Sequence, residues 1–300
     1  MIELYNLTKY FGTLCAVNHV SLTIPDGNFF GLLGTNGAGK STLLKILSGI
    51  LTADEGTVKI DGASPSLCVD SKQSFFYLPD DPYYFPNASL ETMAQFYKRQ
   101  YPNLDTDTVS YMAEALNLDM CLPLRTFSKG MKRQAFLILA LCAGTKYVFC
   151  DEVFDGLDPI ATKLMKNLFR QEMKRRNLTV LVASRKLDAL QDICQNIGIL
   201  HKGGLITSAD ISHNTADVYK MQCVFSNKES IEELRKELYV IHCHTDGYFS
   251  TIIAKGDLQT IQQKIQEKHP IFSENISLTL EEIFMTQMEE NGYDIRKVFL

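Results

Sequence analysis

Residues 34–41 read Gly34-Thr35-Asn36-Gly37-Ala38-Gly39-Lys40-Ser41, a full match to G-x-x-x-x-G-K-[ST]. The pattern leaves little freedom of fold, because it works only between a buried strand and a helix. Asn28 to Leu33 is an apolar run without alternation, as a strand buried on both faces shows. Ser41 to Ser48 reads as a helix carrying Leu43, Leu44 and Leu47 on one stripe. Glycines let backbone N–H groups turn inward around phosphate oxygens. The helix starting near Lys40 points its positive dipole end at the same anion. In that setting Lys40 reaches the β- and γ-phosphates of a nucleotide, and the Ser41 hydroxyl ligates Mg²⁺. The competing reading is a Gly-rich turn that matches by chance, and the strand, loop and helix in sequence weigh against it.

Such a loop needs a carboxylate at the end of a neighbouring strand. Tyr147-Val148-Phe149-Cys150 is a second buried run, followed directly by Asp151 and Glu152. Asp151 is suited to hold Mg²⁺ through its water shell, and Glu152 to polarise an attacking water. Taken alone, the pair also reads as a solvated Asp-Glu at a strand end. Thr179 to Ala183 and Ile197 to Leu200 supply two more strands, with helices near 161–175 and 188–194. Strands alternating with helices imply an α/β fold with a parallel sheet covered on both faces.

The first thirty residues alternate instead, with Leu14 to Val17 and Val20 to Ile24 as two strand runs before the turn Pro25-Asp26-Gly27. This is an N-terminal antiparallel β portion. Residues of about 82–145 are mainly helical, at 90–101, 107–116 and 129–142, and form an inserted helical subdomain. Past Lys202-Gly203-Gly204 the order becomes βαββαβ, with strands at 218–225, 239–244, 248–253 and 271–276 and helices at 230–238, 257–268 and 279–289. The division is therefore 1–205 for a nucleotide-binding domain and 206–300 for a small C-terminal α+β domain of unread role.

Thirty Lys and Arg stand against thirty-five Asp and Glu, a formal net charge of −5. No global field draws such a chain onto DNA or anionic lipid, so no nucleic-acid partner is expected. No apolar run approaches the eighteen or so residues of a membrane span; the best, Ala135 to Ala143, has nine. The start lacks a basic and an apolar signal region. The eight cysteines are scattered without a Cys-x-x-Cys pair, which reads as reduced thiols in the cytosol. His242 and His244 share a face if strand-borne, but no second ligand pair accompanies them.

With these motifs in order, residues 1 to 205 resemble the ATP-binding subunit of an ABC transporter, a P-loop NTPase core. Phe11, just before Gly12, sits where the family stacks an aromatic on adenine. Gly34 to Thr42 would cradle the phosphates of ATP. Phe127-Ser128-Lys129-Gly130-Met131-Lys132-Arg133-Gln134 looks like the signature motif, whose serine and second glycine map onto Ser128 and Gly130 and cap the γ-phosphate held by an opposite subunit. Asp155-Gly156-Leu157-Asp158-Pro159 looks like the D-loop, in which Asp158 helps assemble two sites across a dimer. The resemblance implies ATP and Mg²⁺ as cofactors, ATP hydrolysis, and a second ATP-binding subunit, identical or different. It implies a separate integral membrane permease, export as the direction, and a peripheral place on the cytoplasmic face of the membrane.

The chain departs from the family at several positions. Phe127, Lys129 and Met131 replace a leucine, a glycine and a glutamine of the signature. Asp80 replaces the Q-loop glutamine after Tyr77-Leu78-Pro79 and is a shorter, charged oxygen ligand for Mg²⁺. Arg185 stands where the switch histidine follows Ser184, and there is no histidine between His19 and His201. Arg185 either contacts the γ-phosphate as a cis arginine, or marks a site that binds ATP and turns it over slowly. Three readings follow: a subunit powering a permease, a weakly hydrolysing regulatory partner, and an ABC ATPase unattached to a transporter. Pro82-Tyr83-Tyr84-Phe85-Pro86 is an apolar, aromatic stretch where such subunits dock a permease, or equally a core segment.

Overall fold

The computed structural model describes residues 1–65, 69–190, 192–210, 217–226 and 229–279, with residues 282 and 286. The chain divides into two compact units, Met1–Asp210 and Ile211–Leu300.

The first unit opens with β1 (Ile2–Phe11) and β2 (Leu14–Ile24), then β3 (Phe29–Leu33) and α1 (Lys40–Leu47). β4 (Glu55–Ile60) joins the first two in an antiparallel sheet of order β2-β1-β4. Next come α2 (Val69–Lys72), β5 (Phe75–Leu78), α3 (Leu90–Gln100), α4 (Thr106–Ala115) and α5 (Lys129–Cys142). β6 (Tyr147–Asp151), α6 (Pro159–Arg176), β7 (Thr179–Ser184), α7 (Leu187–Leu190), β8 (Asn196–His201) and β9 (Gly204–Asp210) complete it.

The main sheet has the order β5-β6-β7-β3-β8-β9, parallel except for β9. β3, β6 and β7 are buried at every residue, which is why their sequences carry no polar alternation. Register fixes what emerges at the carboxyl edge. Leu33 pairs with Ser184 and Asp151 with Ala183. Gly34, Glu152 and Arg185, the next residues of three adjacent strands, therefore leave the sheet side by side. This is where open α/β sheets bind ligands.

Leu43, Leu44 and Leu47 of α1 enter one core with Ile2, Leu7 and Val20 of the antiparallel sheet and with Phe149 and Leu181 of the main sheet. Phe149 is fully buried and stacks on Phe75 at 5.3 Å. α3, α4 and α5 form the helical portion. Ser89, Asp105 and Ser128 N-cap them by accepting from backbone N–H groups one turn in.

Several elements differ from the sequence reading. The runs 14–17 and 20–24 are one strand, because His19 takes φ 48° and its N–H bonds the Thr8 hydroxyl at 3.2 Å, kinking the strand without ending it. The helix expected at 188–194 spans only Leu187–Leu190. β4 was not anticipated: it is mostly exposed, so only Val58 and Ile60 carry an apolar signal.

The second unit runs β10 (Val218–Val224), α8 (Glu229–Glu237), β11 (Tyr239–Asp246), β12 (Phe249–Lys255), α9 (Leu258–Glu267) and β13 (Phe272–Ile276). Its sheet is antiparallel with the order β11-β12-β10-β13. Met221, Cys223 and Ile252 face Leu234, Ile261 and Ile265 of the helices. His242 and His244 are exposed on β11, and no cluster of metal-binding side chains occurs among the described residues. The helix expected at 279–289 lies almost wholly outside the described residues; Glu282 pairs with Lys220 at 2.8 Å.

Candidate functional site

The loop between β3 and α1 is built from backbone that only glycine permits. Gly39 has φ +101°, and a Cβ there would stand 2.2 Å from the Ala16 carbonyl. A Cβ on Gly34 would stand 2.4 Å from the Leu200 carbonyl. The loop thus lies flush on its neighbours, with its N–H groups at the amino end of α1.

Lys40 curls back over this loop. Its Nζ donates to the Gly34 carbonyl at 2.7 Å and to the Thr35 carbonyl at 3.1 Å, and lies 3.6 Å from Glu152 Oε1. It is only 5% exposed. Burial lowers its pKa, against the pull of Glu152 and Asp151.

Asp151 ends β6 and is buried. Burial raises its pKa, while Ser41 and Lys40 favour the ionised form. Its Oδ1 has no hydrogen-bond partner among the described residues. A buried carboxylate with an unused oxygen beside a serine hydroxyl is a hard-oxygen donor set, and it fits a divalent cation such as Mg²⁺.

Glu152 has φ +50°, a left-handed conformation that costs a non-glycine residue about 1–3 kcal/mol. Its N–H bonds the Ala183 carbonyl at 2.9 Å, which holds the strained turn against β7. The turn aims the carboxylate between two cations. Burial raises its pKa, opposed by Lys40 and by the Arg185 N–H and guanidinium.

Arg185 donates its backbone N–H to Glu152 Oε2 at 3.2 Å, and its Nε lies 3.6 Å from Glu152 Oε1. Its Nη2 donates to Asp155 Oδ2 at 3.2 Å. Lys186 bonds the other oxygen of the same carboxylate at 2.9 Å. Hydrogen bonding and charge from Lys186 hold the Asp155 pKa down.

A cavity of about 440 Å³ joins these groups, bordered by residues 36–42, Asp80, Glu152 and Arg185, with Phe11 and Leu14 on one wall. Phe11 is 48% exposed, with the Lys9 ammonium 5.8 Å from its ring centre. Asp80 borders the cavity, but its carboxylate is paired with buried Arg133. Two bordering residues were not singled out from sequence. Asp155 reads in sequence only as part of the D-loop segment, because its partners Arg185 and Lys186 stand thirty residues on. Lys129 was noted only as a departure from glycine.

Ser128, Gly130 and Asp158 do not border this cavity. Ser128 caps α5 by accepting from the Met131 N–H at 3.2 Å, and Asp158 caps α6 by accepting from the Ala161 N–H at 2.9 Å. A Cβ on Gly130 would meet the Gly156 carbonyl at 3.1 Å, so these two segments touch each other.

Residues 17–155 match the family described as ABC transporter. The chain is 26% identical over 287 residues to the ABC transporter ATP-binding protein YtrB of Bacillus subtilis, covering 96% of this chain and 98% of that one. It is 25% identical over 262 residues to the bacitracin transport ATP-binding protein BcrA of Bacillus licheniformis, covering 82% and 83%. Among solved structures it resembles a dimeric ATP-binding cassette bound to ADP and Pi in a post-hydrolysis state. The TM-score is 0.63 at 20% identity, over 70% of this chain and 98% of that one.

Proposed function

We propose that this chain is an ATP-binding subunit of the ABC transporter family and that it hydrolyses ATP to drive a separate membrane permease in export. The observation that carries the reading is the convergence of Lys40, Glu152 and Arg185 on one cavity at the ends of β3, β6 and β7. Lys40 leaves its two loop carbonyls to neutralise the β- and γ-phosphates. Ser41 and Asp151 would hold Mg²⁺, which would supply charge neutralisation on the phosphates. Asp80 stays with Arg133 until that pair opens. Phe11 stacks on the base. Glu152, its pKa raised by burial and its carboxylate already aimed, orients water for in-line attack.

Ser128 and Gly130 at the start of α5 cap the γ-phosphate bound by a second subunit, and Asp158 acts beside them. The close approach of Gly130 to the Gly156 carbonyl supports this, because it sets the two segments side by side. The name of the bacitracin relative supports transport, and a C-terminal unit beyond the cassette supports export. No helix among the described residues is long and apolar enough to cross a membrane.

Arg185 takes the role of the switch residue: its guanidinium reaches the γ-phosphate once nucleotide displaces Glu152 from it. The Arg185→Ala variant should therefore lose roughly 10- to 100-fold in kcat, with ATP affinity little changed. An unchanged kcat in steady-state phosphate release would remove Arg185 from the reaction.

Tyr83 is 72% exposed and packs edge-on to Phe85, while Tyr84 is half-buried beneath Lys132 at 5.2 Å. An exposed aromatic pair of Tyr83 and Phe85 suits a permease helix. Tyr83→Ser with Tyr84→Ser should reduce recovery with the membrane fraction while leaving ATPase activity of the free protein intact. Normal co-purification with the permease would refute the docking role.

A further inference from the structure

A second cavity, of about 640 Å³, lies between α6 and the segment 186–192. It shares no lining residue with the cavity over the glycine loop. Lys163, Lys166 and Arg170 occupy i, i+3 and i+7 on α6 and so share a face. Lys186 meets them from the opposite wall. Against these four cations stand two carboxylates, Asp188 and Asp192. In a chain of net charge −5, such a concave cationic surface is a local exception.

Lys166 makes this more than a basic helix face. A solvated lysine carries its ammonium out to water along an apolar stem. Lys166 is instead only 9% exposed, with Nζ 3.3 Å from the Asp188 carbonyl and 5.9 Å from the Phe154 ring centre. Burial lowers its pKa, with Asp192 opposing. Arg170 is fixed beside it by the Asp192 carbonyl and by Asn167 Oδ1 at 3.0 Å. Asp188 Oδ1 accepts from the Ala189 N–H at 2.9 Å. Lys166 and Arg170 are therefore held in place by neutral oxygens, and a bound anion would stabilise their charge where Lys166 is largely desolvated.

We propose that this cavity binds a polyphosphate-bearing anion, its phosphate chain lying among Lys163, Lys166, Arg170 and Lys186. The volume lies in the range of small-ligand sites. Lys186 also holds Asp155, which holds Arg185. An anion that draws on Lys186 is thereby felt at the switch residue. The binding claim itself is independent of the transport reading.

The test is calorimetric titration of tripolyphosphate, and separately of ADP, into the full chain carrying Lys40→Ala, which weakens binding at the glycine loop. Saturable binding is expected, weakened roughly tenfold or more by adding Lys166→Gln or Lys163→Glu. Lys163 is exposed, so its replacement leaves the fold intact. ADP binding that Lys163→Glu weakens identifies a nucleotide as the ligand, and tripolyphosphate binding alone identifies an inorganic chain. Absence of binding by either probe overturns the proposal. So does binding that neither added substitution changes. Failure of the glycine-loop reading is distinguishable, because wild type and Lys40→Ala would then bind MgATP alike.

Discussion

The Lys40→Ala variant should bind MgATP roughly 10- to 100-fold more weakly and lose hydrolysis by a thousandfold or more, about 4 kcal/mol of barrier. Lys40 is the buried cation of the loop, and its carbonyl partners Gly34 and Thr35 belong to the same loop. Phosphate oxygens are stronger acceptors for an ammonium than neutral carbonyls, so the nucleotide takes over these bonds. Removal also leaves Glu152 facing one cation fewer, a loss of about 1–3 kcal/mol in stability at most. A thermal melt separates the two effects: a folded variant that fails to bind nucleotide is the expected outcome. Nucleotide affinity equal to that of wild type would mean the glycine loop is not the phosphate site.

The second large effect is expected from Glu152→Gln. The amide keeps the shape of the carboxylate and an acceptor oxygen for the Arg185 N–H, so the strained turn at φ +50° persists. It cannot take the proton or charge that develops as water attacks. Loss of a positioned general base is worth about 10²–10⁴-fold. Turnover should fall by that factor while ATP binding is kept or tightened, and size-exclusion chromatography with MgATP should show a stabilised dimer. A variant with wild-type turnover would assign the base elsewhere. For wild type, acidification should reduce turnover as Glu152 protonates. Burial places that limb above the ordinary glutamate range, because the folded pKa is raised.

The site was legible in sequence to the extent that one segment carried it. The glycine loop, Lys40 and Ser41 declare themselves because their backbone needs glycine and their strand needs an unbroken apolar run. Asp151 and Glu152 followed from a strand end. The register that sets Leu33 beside Ser184 and Asp151 beside Ala183 is not written in any one segment, so the meeting of Arg185 with Glu152 had to come from the fold. The same holds for Asp155, whose carboxylate gains meaning only from Lys186 and Arg185 thirty residues on. Asp80 illustrates the opposite limit. Its place in the chain suggested a metal ligand, and the structure pairs it with Arg133, fifty-three residues away. In the fold, the buried strands and the helical portion were readable from pattern. Exposed β4 and the kinked β2 were not, because edge strands and bulges carry too little apolar contrast.

Hydrolysis of bound ATP by this chain, with Arg185 at the γ-phosphate, is open to a direct measurement. The direct measurement is single-turnover release of γ-labelled phosphate from ATP by the purified full chain, with Mg²⁺ and with EDTA, beside the Glu152→Gln variant. Wild type should release phosphate with Mg²⁺ and not with EDTA, and the variant should retain ATP without releasing it. Wild-type protein that binds MgATP tightly yet releases no phosphate would contradict hydrolysis by this chain, and would make it an ATP-binding regulator instead.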